Sequence, residues 1–131
     1  MKLLEGKRGL VFGVANERSI AWHIARNAAE HGATCGFPYL PGEKMQRRVE
    51  KALEDGGFAK PWLSPCDVSS DADLDRLFAA FAADFGTLDF VVHSVAYADR
   101  EYLRPGTFAD TPRDVFAQAL DISAYSLVAV A

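Results

Sequence analysis

Gly13 closes an apolar run, Leu10, Val11 and Phe12, and after five intervening residues the chain restarts at Ser19, Ile20 and Ala21 with helical spacing. A strand that breaks at a glycine and resumes as a helix leaves the first helical N–H groups unpaired. It also aims the positive end of the helix dipole at the space above the strand, which suits a phosphate. Gly13 supplies the tight turn, because a side chain there would crowd the backbone or the bound group. Ser19 is placed to cap the helix and to hydrogen-bond a phosphate oxygen, and Ala21 is small enough for close packing of helix on strand. The G-x-G-x-x-G spacing is absent. Since any turn from strand to helix in a parallel sheet can carry a glycine and a cap, the turn alone leaves both readings open.

Other polar residues carry chemistry of their own. Asp67 can accept hydrogen bonds from an adenine amino group or from the backbone of its own turn. Where an acid after the second strand would hold a ribose 2′-hydroxyl, the chain has Leu40, and the first acid is Glu43. Arg47 and Arg48 either meet a 2′-phosphate or lie on the solvated face of their helix, which the charge pattern favours. Asp89, His93 and Ser94 invite a nucleophile triad, but neighbours on one strand point to opposite faces, so His93 and Ser94 cannot act as base and nucleophile. His93 is expected to be a packed or hydrogen-bonded core residue, whereas Ser94 ends its strand and can reach a ligand. Asp121 and Ser123 interrupt an apolar stretch, as a hydrogen-bonded pair or as part of a site floor. Cys35 and Cys66 have no CxxC spacing and no histidine cluster beside them, so buried reduced thiols are expected and no metal site.

The elements that position these residues follow from hydrophobic spacing. Strands are expected at Arg8 to Phe12, Thr34 to Tyr39, Ala59 to Ser64 and Leu88 to Ser94. The first helix, capped by Ser19, places Ile20, Ile24, Ala25, Ala28 and Ala29 on its apolar face and ends at His31 and Gly32. Lys44 to Asp55 reads as an amphipathic surface helix through Met45, Val49 and Leu53. Ser70 and Asp73 form a capping box that opens a third helix carrying Leu74, Leu77, Phe78, Phe81 and Phe85, with Gly86 as its stop. Residues 95 to 110 read as a loop. Thr111 and Pro112 then open a last helix, Pro112 in its first position, with Val115, Phe116, Ala119, Leu120 and Ile122 on the apolar face.

The order of elements implies an α/β fold, a Rossmann-type doubly wound parallel sheet with strand order 3-2-1-4, in one dinucleotide-binding domain over residues 1–131. In that order the switch point falls between the first and fourth strands, above Gly13 and Ser94, where open α/β sheets bind ligands. A formal charge of -4 and a pI near 5.3 argue against a nucleic-acid surface. No apolar run is long enough for a membrane helix and residues 1–6 lack a signal-peptide pattern, so the expected location is the cytoplasm.

Jointly, G-x-x-x-x-x-S-I-A at Gly13 to Ala21, C-D-V at Cys66 to Val68, L-D-F-V-V-H-S-V-A at Leu88 to Ala96 and D-I-S-A-Y-S at Asp121 to Ser126 carry a resemblance. The chain resembles the enoyl-acyl-carrier-protein reductases of bacterial fatty acid synthesis, a divergent branch of the short-chain dehydrogenase/reductases, from about Gly6 to Ala131. The resemblance implies a homotetramer that transfers hydride from NADH, with NADPH used by some members, to a trans-2-enoyl thioester on acyl carrier protein. It implies that Gly13, Ser19 and Ile20 contact the pyrophosphate and ribose, Asp67 and Val68 the adenine, and Ser94, Val95 and Ala96 the ribose and nicotinamide. Ile122 would line the nicotinamide pocket and Tyr97 would lie near the acyl group. Pro38 and Leu40 replace a polar pair often found after the second strand in the family, which leaves the choice of NADH or NADPH open.

Catalysis in that family uses a tyrosine followed by six residues and a lysine. Here Tyr39, Tyr97 and Tyr102 are followed at that place by Gln46, Arg104 and Ala109, and Tyr125 lies too near Ala131. The catalytic groups are therefore expected beyond Ala131, and the chain alone is expected to be inactive. An unpaired apolar fourth strand and a last helix without a terminator support the expectation that these residues are the cofactor-binding half of a larger reductase. The alternatives are a non-catalytic dinucleotide-binding or oligomerisation module, and a 3-ketoacyl-reducing relative.

Overall fold

The computed structural model describes residues 2–131 as two compact units, the first ending at Ser94 and the second comprising Val95–Ala131. In the first unit, strands β1 (Arg8–Phe12), β2 (Thr34–Tyr39), β3 (Trp62–Pro65) and β4 (Phe90–His93) form one parallel sheet in the order β3-β2-β1-β4. Helices α1 (Ile20–Glu30), α2 (Glu43–Asp55) and α3 (Asp71–Phe85) make the crossovers. This is the doubly wound arrangement expected from the sequence.

Alternation along the strands divides the core between the two faces of the sheet. Val11, Cys35, Phe37 and Tyr39 pack with Ala21, Trp22, Ala25, Val49 and Leu53 of α1 and α2. Leu10 and Phe81 both approach Gly36 on the opposite face, where Trp62 and Phe81 meet edge to face. Full burial of Leu10, Val11, Phe37, Val49 and Leu53 contributes about 1.5–3 kcal/mol per side chain. The indole N–H of Trp22 donates to the Ala52 carbonyl at 2.7 Å and ties α1 to α2 inside this layer.

Several local expectations change. The buried face of α1 is Ala21, Trp22, Ala25 and Ala28, while Ile20 and Ile24 are exposed, because Trp22 takes the inward position over α2. The third strand begins at Trp62 rather than Ala59, since Lys60 adopts a left-handed φ of 53° and Pro61 follows it. The fourth strand is shorter at both ends than Leu88 to Ser94. At its start the Asp89 carboxylate takes the Arg8 N–H at 2.9 Å, the donor that a strand carbonyl would otherwise accept. Only half of the expected capping box forms: the Ser70 hydroxyl accepts from the Asp73 N–H at 3.2 Å, but the Ser70 N–H goes to the Asp67 carbonyl and the Asp73 carboxylate accepts the Asp67 N–H instead.

In the second unit the expected loop is folded into two 3₁₀ turns, Arg100–Leu103 and Phe108–Asp110. Thr107 holds them by donating its hydroxyl to the carbonyls of Glu101 and Arg104. Helix α4 (Arg113–Leu120) starts one position later than expected, with Pro112 as its N-cap rather than its first residue, because ψ of Pro112 is extended at 153°. The last helix is not continuous. Asp121–Tyr125 widens into a π turn before α5 (Ser126–Val130), and the buried Ser126 hydroxyl donates to the Ile122 carbonyl at 2.6 Å. Of the expected apolar face, Phe116 and Leu120 are exposed, as are Leu127 and Val128 beyond it.

Candidate functional site

At the carboxyl end of β1, Gly13 adopts a φ of 102°. A β-carbon placed there would overlap the Ser94 carbonyl oxygen and lie 2.7 Å from the Ser94 carbonyl carbon. Backbone meets backbone where β1 and β4 end side by side, so only glycine fits at this corner.

Ser19 stands at the N-cap of α1 with extended backbone, yet its hydroxyl does not cap the helix. The oxygen accepts instead from the Ala15 N–H at 3.0 Å and the Asn16 N–H at 3.1 Å, drawing residues 15–19 into a closed turn. This corrects the expected cap. With two N–H groups on its oxygen, the hydroxyl keeps its proton to donate outward. Asn16 completes the turn by accepting the Arg18 N–H at 2.8 Å. It is a turn residue the sequence reading passed over, although asparagine two places before the N–H it binds is a recognisable signal. Helical bonding begins with the Trp22 N–H on the Ser19 carbonyl at 3.1 Å, so the N–H groups of Ile20 and Ala21 lie ahead of the ladder.

Asp67 and Val68 follow β3 at the same carboxyl edge. One oxygen of Asp67 accepts both the N–H and the hydroxyl of Ser69, at 2.9 and 2.6 Å, and its own N–H goes to Asp73 at 2.9 Å. The local turn proposed for Asp67 is thus formed, and the second carboxylate oxygen points to no partner in that turn. Asp89 belongs to the opposite end of the sheet, where Lys7 at 3.2 Å and the Arg8 N–H hold its carboxyl below the usual carboxylate range, the backbone bond contributing most. His93 is half-buried in β4 opposite Phe12. Burial pushes the thiols of Cys35 and Cys66 up to about 11, with Asp73 and Asp67 adding to the effect at Cys66.

In the second unit, Ser123 in the π turn serves the backbone of Tyr97. Its hydroxyl accepts the Tyr97 N–H at 2.9 Å and donates to the Tyr97 carbonyl at 3.1 Å. It is therefore bonded to Tyr97 rather than paired with Asp121, which corrects one of the two expectations for those residues. Val95, Ala96, Tyr97 and Ile122 all lie in this unit, with Tyr97 exposed and Ile122 partly buried. Among the described residues no three metal-ligating side chains converge, and no helix is long and apolar enough to cross a membrane.

A parallel sheet ordered 3-2-1-4, opened at its switch point by a glycine and followed at once by a helix, defines a Rossmann-type α/β chain. The family model described as Enoyl-(Acyl carrier protein) reductase matches residues 13–131, and the chain belongs to that family. It is 45% identical over 130 residues to enoyl-[acyl-carrier-protein] reductase [NADH] 1 of Rhizobium meliloti (strain 1021), covering 98% of this chain and 46% of that protein. The crystal structure of the enoyl-[acyl-carrier-protein] reductase (NADH) from Aquifex aeolicus VF5 superposes with a TM-score of 0.87 at 44% identity, over 98% of this chain and 54% of the other. The reductase of Anaplasma phagocytophilum, solved in complex with NAD, gives a TM-score of 0.87 at 39% identity, over 98% of this chain and 47% of the other. The chain spans about half the length of the curated relatives it matches.

Proposed function

We propose that this chain is the cofactor-binding half of an NADH-dependent enoyl-acyl-carrier-protein reductase that reduces trans-2-enoyl thioesters in fatty acid synthesis. The observation that carries the reading is the turn at Gly13, which only glycine can make against the Ser94 backbone and which lies at the switch point of the sheet, directly ahead of α1. A strand that turns at a glycine into a helix N-terminus at the switch point suits the pyrophosphate of a dinucleotide, and the Rhizobium and Aquifex relatives are named as NADH enzymes.

In this reading the N–H groups of Ile20 and Ala21 and the outward proton of Ser19 bind the pyrophosphate. Asp67 and Val68 hold the adenine, Asp67 through the carboxylate oxygen not used by Ser69. Ser94, Val95 and Ala96 orient the ribose and nicotinamide, Ile122 excludes water from the ring and Tyr97 borders the acyl group. The bound dinucleotide supplies hydride to the β-carbon of the enoyl thioester. A tyrosine and lysine spaced by six residues are absent from the 131 residues, so the proton-handling groups come from elsewhere in the enzyme. The working enzyme is a cytoplasmic homotetramer whose substrate is carried on acyl carrier protein.

The same absence favours a second reading, a dinucleotide-binding or assembly module without chemistry. Replacing the matching half of the Aquifex reductase with residues 1–131 separates the two. The reductase reading expects the chimera to oxidise NADH only when an enoyl thioester is present, and the chain alone to do nothing. A folded chimera that binds NADH but never consumes it supports the module.

A further inference from the structure

We propose that Asp73 is a positioning residue for the dinucleotide: from the first turn of α3 it holds the Asp67 backbone and, with Ser69, fixes the carboxylate that reads the 6-amino group of adenine. The inference rests on the dinucleotide reading above and deepens it. Asp67 stands just beyond β3, whose last residue is Pro65. The Cys66 N–H donates to the Tyr39 carbonyl at 2.8 Å, so the residue before Asp67 is still tied to the carboxyl end of β2. The turn that follows closes where the Ser70 N–H donates to the Asp67 carbonyl at 3.0 Å.

Asp73 occupies the helical position from which a capping box reaches back to the N-cap N–H. Aspartate is a methylene shorter than the glutamate that usually does so. The N-cap N–H of Ser70 already has the Asp67 carbonyl, and the Asp73 carboxylate accepts the Asp67 N–H at 2.9 Å instead. Asp73 is itself held firmly. Its N–H is fixed on the Ser70 hydroxyl, its second oxygen takes the Arg76 guanidinium, and its side chain is only 15% exposed.

Both backbone groups of Asp67 are thereby bonded, and Ser69 fixes the side chain by placing its N–H at 2.9 Å and its hydroxyl at 2.6 Å on one carboxylate oxygen. The other oxygen is left with one direction in which to accept. An ionised carboxylate only accepts, so that oxygen favours a purine that presents a donor, as the 6-amino group of adenine does. Removing the Asp73 carboxylate leaves a part-buried N–H without an acceptor, and the turn must shift to satisfy it. The bond from Cys66 to Tyr39 holds the sheet side in place, so the shift falls on Asp67.

Calorimetric titration of the purified chain with NADH and with an analogue carrying hydrogen in place of the 6-amino group tests the proposal, since the ring nitrogens and phosphates are the same in both. The wild-type chain should prefer NADH by about tenfold or more. Asp73→Ala should bind the analogue as the wild type does, which also shows that it is folded, and should lose most of the preference through weaker NADH binding. Asp73→Asn, whose side-chain oxygen can still accept the Asp67 N–H, should keep it. Ser69→Ala, at an exposed residue, should lose part of the preference and carries the test if Asp73→Ala fails to fold. An unchanged preference in Asp73→Ala, or in Ser69→Ala where that variant carries the test, overturns the proposal. So does a variant that weakens both ligands equally, the signature of a merely structural role, and so does a wild-type chain that binds both alike. A wild-type chain that binds neither overturns the dinucleotide reading itself.

Discussion

Gly13 and Ser94 approach so closely that the glycine has no room for a β-carbon, which would overlap the carbonyl oxygen of Ser94. The two residues are 81 positions apart, as 94 minus 13, and end neighbouring strands. Their contact packs the ends of β1 and β4 together at the switch point of the sheet.

Gly13→Ala should therefore damage both fold and binding. A φ of 102° is strained for any side chain, and the overlap with Ser94 backbone adds to it, for a combined cost of about 2–4 kcal/mol. Denaturant unfolding should show that loss, and NADH titration at a temperature where the variant is folded should show weakened binding. An unchanged unfolding midpoint contradicts the geometry.

Ser19→Ala removes one oxygen that serves two N–H groups, those of Ala15 and Asn16. Part-buried donors left without an acceptor cost about 1–2 kcal/mol. The helix should survive, since it is not capped by that hydroxyl, while the turn loosens and NADH binds less tightly. Hydrogen exchange should speed up at Ala15 and Asn16 and stay unchanged in the middle of α1.

Asp89 links stability to acid pH. Its carboxyl is held below the ordinary value of 3.8 by the Arg8 N–H and then by Lys7. A depressed folded value means that the contribution is present above about pH 4 and is lost as pH falls through the lowered value. Asp89→Asn should be less stable than the parent at neutral pH, with the gap closing as pH drops below about 4. Thermal melts across that range check this, and a gap that widens in acid would refute it.

Cys35 and Cys66 are buried, and both thiols are pushed up to about 11. At pH 8 the thiolate is then on the order of one part in a thousand. A colorimetric thiol reagent should label neither residue in the native chain and both in denaturant. Rapid native labelling would show that one of them is open to solvent.

The sheet was legible because its evidence is periodic and local. Val11, Cys35, Phe37 and Tyr39 alternate on one covered face, and β1 and β2 have the boundaries expected from the sequence. Where a side chain competes with the backbone, pattern reading failed. Asp89 takes a ladder donor and shortens β4, and Trp22 displaces Ile20 and Ile24 from the inner face of α1. The site was half legible. Gly13 and Ser94 are drawn together by topology, which the order of elements predicts. The turn of the Ser19 hydroxyl back to Ala15 and Asn16 depends on a single rotamer, as does the hold of Ser123 on Tyr97, and spacing carries no trace of either. The fates of Arg47 and Arg48 were hidden because the two are alike in sequence. Only the structure shows Glu43 engaging the first and not the second.

The central claim is that the turn after Gly13 holds a nicotinamide dinucleotide. Fluorescence titration of NADH against the purified chain and its Gly13→Ala variant measures this directly. The account expects saturable binding to the wild-type chain, markedly weakened in the variant. Wild-type binding that is absent, or that survives unchanged in the folded variant, would contradict it.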